Sequence, residues 1–214
     1  MDDRAGVAAT YDRIADHFAS TREYPWPEVR EFLDGRVVSL ALDVGCGNGR
    51  HVELLCEHAE RVVGLDASRG LLDAAARRAA DRGFDATLLQ GDAARLPLAS
   101  DTVDLAVYVA TIHHLPTREG RVASLDELAR VLRPGGSAVV SAWSTAHDRF
   151  DRDEGFDTTV DWTLPGGETV GRFYHIYDPA EFDADLAASA LGVESSVVSS
   201  GNCYAVVGPE GKRT

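Results

Sequence analysis

Residues 37–49 read Val37-Val-Ser-Leu-Ala-Leu-Asp-Val44 and then Gly45-Cys-Gly-Asn-Gly49. The apolar run predicts a strand buried in a sheet. Three glycines in the next five positions predict a loop whose backbone comes close to a ligand. A helical pattern follows from Arg50 to Ala59, so the amides that open it favour an anionic group. Outward from this unit the alternation repeats. Arg61 to Asp66 reads as a second strand, and Ser68 to Arg82 as a helix with Leu71, Leu72, Ala75, Ala76 and Ala79 on one stripe. Ala86 to Gln90 is a third strand, closed by Gly91-Asp92. Asp104 to Ala110 is a fourth, apolar enough to be covered on both faces. Thr117 caps a helix running to about Leu132, and Pro134-Gly135-Gly136 turns into a fifth strand, Ser137 to Trp143. Val193 to Val207 reads as two antiparallel strands turning at Gly201-Asn202. The expected fold is therefore α/β: a Rossmann-like, doubly wound, mostly parallel seven-stranded sheet with helices on both faces, binding its ligand beyond the carboxyl ends of the strands.

The expected divisions are an N-terminal segment 1–36 as cofactor lid and substrate segment, a cofactor-binding core 37–143, a substrate-side insertion 144–177, and a C-terminal helix with antiparallel strands, 178–214, completing one domain. In the first, Tyr11 to Phe18 reads as a helix, and Pro25-Trp26-Pro27 as an extended turn. The third has the weakest periodicity and is broken by Pro165-Gly166-Gly167.

The 214 residues suit one domain. No stretch approaches the roughly 20 apolar residues of a membrane helix, and Met-Asp-Asp-Arg lacks the start of a secretory signal. A cytoplasmic protein is expected. Asp and Glu number 35 against 21 Lys and Arg, a formal net charge of −14. Lys212 is the only lysine, and 22 of the acids are Asp. That balance fits a salt-rich cytoplasm, although a GC-rich genome also favours Arg over Lys. Eleven acids against three bases fall between residues 145 and 190. Cys46, Cys56 and Cys203 have neither disulfide nor zinc spacing, so no metal is expected.

Gly45, Gly47 and Gly49 depart from the dinucleotide pattern, since Arg50 stands where its last glycine would be. Asp66 closes the second strand, where a carboxylate can accept both ribose hydroxyls. Asp92 closes the third, where one can meet an adenine amino group. In this order and spacing, with Asp104 and Arg133-Pro134-Gly135-Gly136, the set resembles class I S-adenosylmethionine-dependent methyltransferases. The resemblance implies S-adenosylmethionine as cofactor and S-adenosylhomocysteine as product. It implies a binding site made of Tyr11, Asp43, Gly45, Cys46, Gly47, Asn48, Gly49, Asp66, Ala67, Gly91, Asp92, Ala93 and Val109. An N-terminal helix like Tyr11-Asp12-x-Ile14-Ala15-x-x-Phe18 lids the cofactor in many of these enzymes.

Thr21-Arg22, Pro25-Trp26-Pro27, Ile112-His113-His114-Leu115 and Arg172-Phe173-Tyr174-His175-Ile176-Tyr177 narrow the resemblance to the tRNA wobble-uridine carboxymethyl methyltransferases. It implies esterification of 5-carboxymethyluridine in the tRNA anticodon loop, and a small zinc-binding activator protein as partner in a heterodimer. The apolar edge at 86–90, with Leu88 or Leu89, is a place for that partner to dock. A carboxylate nucleophile is ionised at neutral pH and needs no general base. It needs a cationic or hydrogen-bonding cradle, and Arg22, His114, Arg172, Tyr174 and His175 are the right types. Trp26, Tyr24 and Tyr177 complete the expected substrate side. Plainer readings stand beside these. Trp26 is also a fit core anchor, Arg172 also a partner for the acidic insertion, and one of His113 and His114 faces inward. Two other functions fit the core alone: methylation of a small metabolite such as a quinone precursor or organic acid, and a non-catalytic cofactor-binding subunit. A net charge of −14 sits awkwardly with an RNA substrate at moderate salt, leaving Arg22, Arg30 and Arg36 to grip the backbone.

Overall fold

The computed structural model describes residues 4–210, so the acidic Met-Asp-Asp start and Lys212 lie outside the described residues. Seven strands form one sheet in the order β3-β2-β1-β4-β5-β9-β8. They are β1 (Val38–Val44), β2 (Ala59–Asp66), β3 (Thr87–Gln90), β4 (Val103–Val109), β5 (Leu132–Trp143), β8 (Leu191–Ser199) and β9 (Asn202–Pro209). The first five run parallel. β9 pairs antiparallel with β5, and β8 with β9. The strand order reverses between β1 and β4, the switch point where such sheets open a crevice. All seven residues of β4 are buried.

Alternation along each strand sends side chains to two cores. On one face Leu42, Val44, Ala106 and Tyr108 pack with Leu125 and Leu128 of helix α5 (Arg118–Val131) and Phe182 and Leu186 of α6 (Pro179–Ala187). On the other, Ala41, Leu105 and Val107 meet Val29 and Leu33 of α2 (Pro27–Leu33), Val52 and Leu55 of α3 (Arg50–Leu55), and Leu72 of α4 (Arg69–Arg82). Among the described residues no helix is long and apolar enough to cross a membrane.

Local departures have local causes. The N-terminal helix α1 extends over Arg4–Ser20, beyond the expected Tyr11 to Phe18. Pro27 opens helix α2 instead of prolonging an extended turn, because a proline at the first helical position forfeits no hydrogen bond. Strand β5 begins directly after α5, and the Arg133–Gly136 stretch is a register break within it, opposite Val103 and Leu105. The expected insertion contains a hairpin, β6 (Phe156–Thr163) and β7 (Thr169–Ile176), which pairs only with itself. Gly166 and Gly167, at φ 110° and 89°, make its turn.

Candidate active site

The glycine loop is shaped by what approaches it. A Cβ on Gly45 would stand 2.2 Å from Thr111 Oγ1, so the loop after β4 occupies the place of a side chain. Gly45 and Gly47 also sit at φ 74° and 55°, the left-handed region that favours glycine. The Gly47 amide donates to Asp66 Oδ2 (2.8 Å) and the Ser68 amide to Asp66 Oδ1 (2.9 Å), fixing the carboxylate plane at the end of β2. Burial pushes its pKa up to about 6 against those two hydrogen bonds. Asp43, the penultimate residue of β1, is buried with Oδ2 unpartnered. Burial, and then the neighbouring Asp66 charge, raise its pKa to about 8, with Arg50 opposing.

A folded-state pKa above the unfolded one means stability that is lost as pH rises through the folded value. In ligand-free protein, Asp43→Asn is therefore expected to gain on wild type by up to about 4 kcal/mol from about pH 5 to about pH 8. Denaturant titrations of both proteins at the two pH values check this; an unchanged gap would show Asp43 ionised throughout.

One cavity of about 890 Å³ lies over the strand ends. Gly45 to Asn48, Asp66, Ala67, Gly91 to Ala93 and Val109 form its floor, and α1 covers it through Arg4, Val7, Tyr11 and Phe18. Side-chain contacts strap that helix down. Arg4 pairs with Asp92 (2.6 Å). Asp12 Oδ1 accepts from Ser68 Oγ (2.6 Å) and the Gly70 amide (2.9 Å). Tyr11 Oη meets His114 Nε2 (2.8 Å).

His114 Nδ1 lies 2.9 Å from the Phe173 carbonyl, so that nitrogen carries the proton and Nε2 accepts from Tyr11. Burial holds its pKa down to about 4 despite the carbonyl. His113 is more deeply buried and accepts from the Trp143 amide through Nδ1 (3.0 Å). Both rings touch the cavity, and His114, with both ring nitrogens engaged, ties Tyr11 to the hairpin.

The far end of the cavity is cationic and aromatic. Arg172 is 4% exposed, its Nη1 donates to Tyr174 Oη (2.7 Å), and its Nε has no partner. Among the described residues no carboxylate pairs with it, which removes the reading of Arg172 as partner to the acidic insertion. The guanidinium instead lies 4.8 Å from the Trp162 ring and 5.2 Å from Tyr174. Arg22 reaches the cavity from the segment after α1, without an ion-pair partner, over Phe18 (5.1 Å) and Trp162 (5.4 Å). Arg50 stands beside Trp26 at 5.6 Å, its pKa lowered to about 10 by burial and then by Arg22. Tyr24, 78% exposed, lies at the rim.

Of the expected site residues, His175, Tyr177, Asp43 and Gly49 do not line the cavity. A strand alternates its faces, so Arg172 and Tyr174 point one way and His175 the other. His175 is held between Asp157 (2.7 Å) and Glu181 (2.9 Å), clamping the hairpin to α6. Tyr177 is fully buried in the main core and bonds Asp185 (3.1 Å). Trp26 both lines the cavity and packs edge-on against Tyr204, serving both of its readings. Phe18 belongs to the expected lid helix, and sequence reasoning missed Arg4, Arg50, Trp143 and Trp162. Only Arg50 carried a signal, as the residue that breaks the dinucleotide pattern.

A methyltransferase-domain family model matches residues 41–136. A putative methyltransferase of Encephalitozoon cuniculi is 36% identical over 83% of this chain and 85% of that one. A Mus musculus tRNA (carboxymethyluridine(34)-5-O)-methyltransferase is 40% identical over 64% of this chain and 20% of that one, so this chain spans a fifth of that relative's length. The chain belongs to the S-adenosylmethionine-dependent methyltransferases of the tRNA carboxymethyluridine group. The solved DhpI–SAH complex shares the methyltransferase fold, with a TM-score of 0.73, 21% identity and coverage of 97% of this chain and 96% of that one.

The cofactor of this methyltransferase class is S-adenosylmethionine, and the residues present fit it. Asp66 and Asp92 put acceptors at the ends of β2 and β3, in the cavity. A Cβ on Gly47 would meet only the Phe18 ring, at 3.8 Å, so that part of the loop is open to a ligand. Asp43 Oδ2 leaves a buried acceptor unclaimed at the end of β1. Among the described residues there is no cluster suited to a metal ion.

Proposed function

We propose that the chain methyl-esterifies the carboxymethyl group of a modified wobble uridine in the tRNA anticodon loop. The observation that carries this reading is Arg172: a buried, permanently charged guanidinium facing the cavity with no carboxylate of its own. Burying an unpaired charge is costly, and a ligand carboxylate removes the cost. S-adenosylmethionine, when bound, supplies the methyl group. The chain's own residues then have a positioning task, because an ionised carboxylate needs no base. Arg172 and Tyr174, with Arg22 across the cavity, orient the acid. Trp26 and Tyr24 at the mouth offer rings for a nucleobase to stack on. Tyr11, tied to His114, closes the site from above. The cofactor side is taken by Tyr11, the 45–49 loop, Asp66, Ala67, Gly91, Asp92, Ala93 and Val109.

The partners proposed are the tRNA and a small zinc-binding activator in a heterodimer, in the cytoplasm. β3 is an edge strand with Leu88 and Leu89 half-buried, which supports docking there. Arg22, Arg30, Arg36 and Arg50 are without carboxylate partners among the described residues, giving phosphates a local grip on an acidic protein. The Asp-rich, lysine-poor composition suits a salt-rich interior.

The test uses purified protein in high salt with labelled S-adenosylmethionine and total tRNA, with and without the activator. A base-labile methyl ester on a digested uridine is the expected result. Cofactor binding without label in RNA would move the acceptor to a small organic acid.

A further inference from the structure

The Trp162 ring, near the end of β6, does not itself line the cavity but stands behind its wall, and both carboxylate-free arginines of that end rest on it. Arg172 lies 4.8 Å and Arg22 5.4 Å from its centroid. Trp162 pairs across the hairpin with Val170, which makes Arg172 its diagonal neighbour on the same face, within reach for an aromatic and a long side chain. Its indole N–H donates to His17 Nδ1 of α1 (3.1 Å), and Phe18 tilts against it at 5.6 Å. The ring is thereby fixed between the covering helix and the hairpin.

We infer that Trp162 is a positioning residue that makes this site select an ionised acid over its neutral amide. This rests on the proposed reaction but concerns its specificity. Two guanidiniums in one cavity repel each other, and Arg22 is long enough to swing into solvent. A shared indole face attracts both cations and offsets that repulsion, most strongly where water is excluded. The cavity so acquires a fixed double positive charge that a carboxymethyl group neutralises. A carbamoylmethyl group of the same shape keeps one acceptor oxygen but puts two N–H donors where the second would be, facing guanidiniums that only donate, and leaves the charge unmet. Tyr174, which accepts from Arg172, fixes the other flank of the guanidinium.

The experiment measures binding of two anticodon stem–loops of one sequence, carrying 5-carboxymethyluridine or 5-carbamoylmethyluridine, to the full chain with its activator. Wild type is expected to prefer the acid by at least about tenfold, as for other sites built to pair a polar group. Trp162→Phe, which keeps an aromatic face, is expected to retain most of that ratio. Trp162→Leu, which keeps bulk but no π-face, is expected to reduce it to within about twofold while S-adenosylhomocysteine binds as before. If Trp162→Leu fails to fold, Trp162→Met carries the same contrast. A leucine or methionine variant with the full ratio overturns the inference, and so does a phenylalanine variant that loses as much as leucine. Ester formation by a wild type that does not prefer the acid overturns the inference and leaves the reaction standing. Acid preference that depends on Trp162 without any ester in tRNA does the reverse.

Discussion

Arg172→Met is expected to lower kcat/KM for carboxymethylated tRNA by about 10²–10³-fold, the usual cost of losing a group aimed at a reacting anion. S-adenosylhomocysteine affinity should stay within about twofold, because Arg172 contacts Tyr174 and Trp162 and not the glycine loop, Asp66 or Asp92. The variant should also melt no lower than wild type. An apolar side chain of similar length removes a buried charge that has a hydroxyl but no carboxylate partner among the described residues, and relieving that desolvation cost offsets the lost hydrogen bond to Tyr174. Lost turnover together with retained or increased stability is what distinguishes a ligand-binding cation from a structural one. Arg172→Lys keeps the charge but not the planar fork, so partial activity is expected. Kinetics, calorimetry and a thermal melt together check it. A large drop in melting temperature would assign Arg172 to holding the hairpin.

Asp66→Ala is expected to abolish cofactor binding, with calorimetric affinity reduced by at least about 100-fold. Two losses combine. The ribose hydroxyls lose their acceptor, and the Gly47 and Ser68 amides are left without one, at about 1–3 kcal/mol for each buried group. Asp66→Asn should also fail, since its amide nitrogen would face one of those N–H groups. In wild type the same geometry sets a pH dependence. The carboxylate is the form that accepts, and its pKa is raised to about 6, so cofactor affinity should fall as pH drops below that value. Unchanged affinity in Asp66→Ala would place the ribose elsewhere.

The strand–loop–helix units were legible because each carried its own signal: an apolar run, a turn residue, a stripe. The five parallel strands and the antiparallel pair sit where those signals put them, to within a few residues. The hairpin at 156–176 was not legible. Its outward positions are Asp157, Thr159 and Asp161, so the segment reads as a solvated acidic loop, and its apolar face is interrupted by Thr158 and Arg172. The run from Arg172 to Tyr177 fits a strand with two faces, only one of which can serve the site. Applying the strand period of two separates Arg172 and Tyr174 from His175 on sequence alone. Arg172's lack of a partner could not be read that way, because it depends on which of the nearby acids reach it in three dimensions. Trp162 carried no signal at all, since its importance lies in contacts with residues 140 and ten positions away.

The hairpin contributes no strand to the seven-stranded ladder; it enters after β5 and returns to α6. Its length, turn and side chains can therefore change without shifting the register of any strand that carries the cofactor loop. Within this architecture the cofactor loop and the hairpin are separable parts. On the proposed reaction, grafting residues 144–177 between relatives is the exchange expected to carry acceptor choice with it.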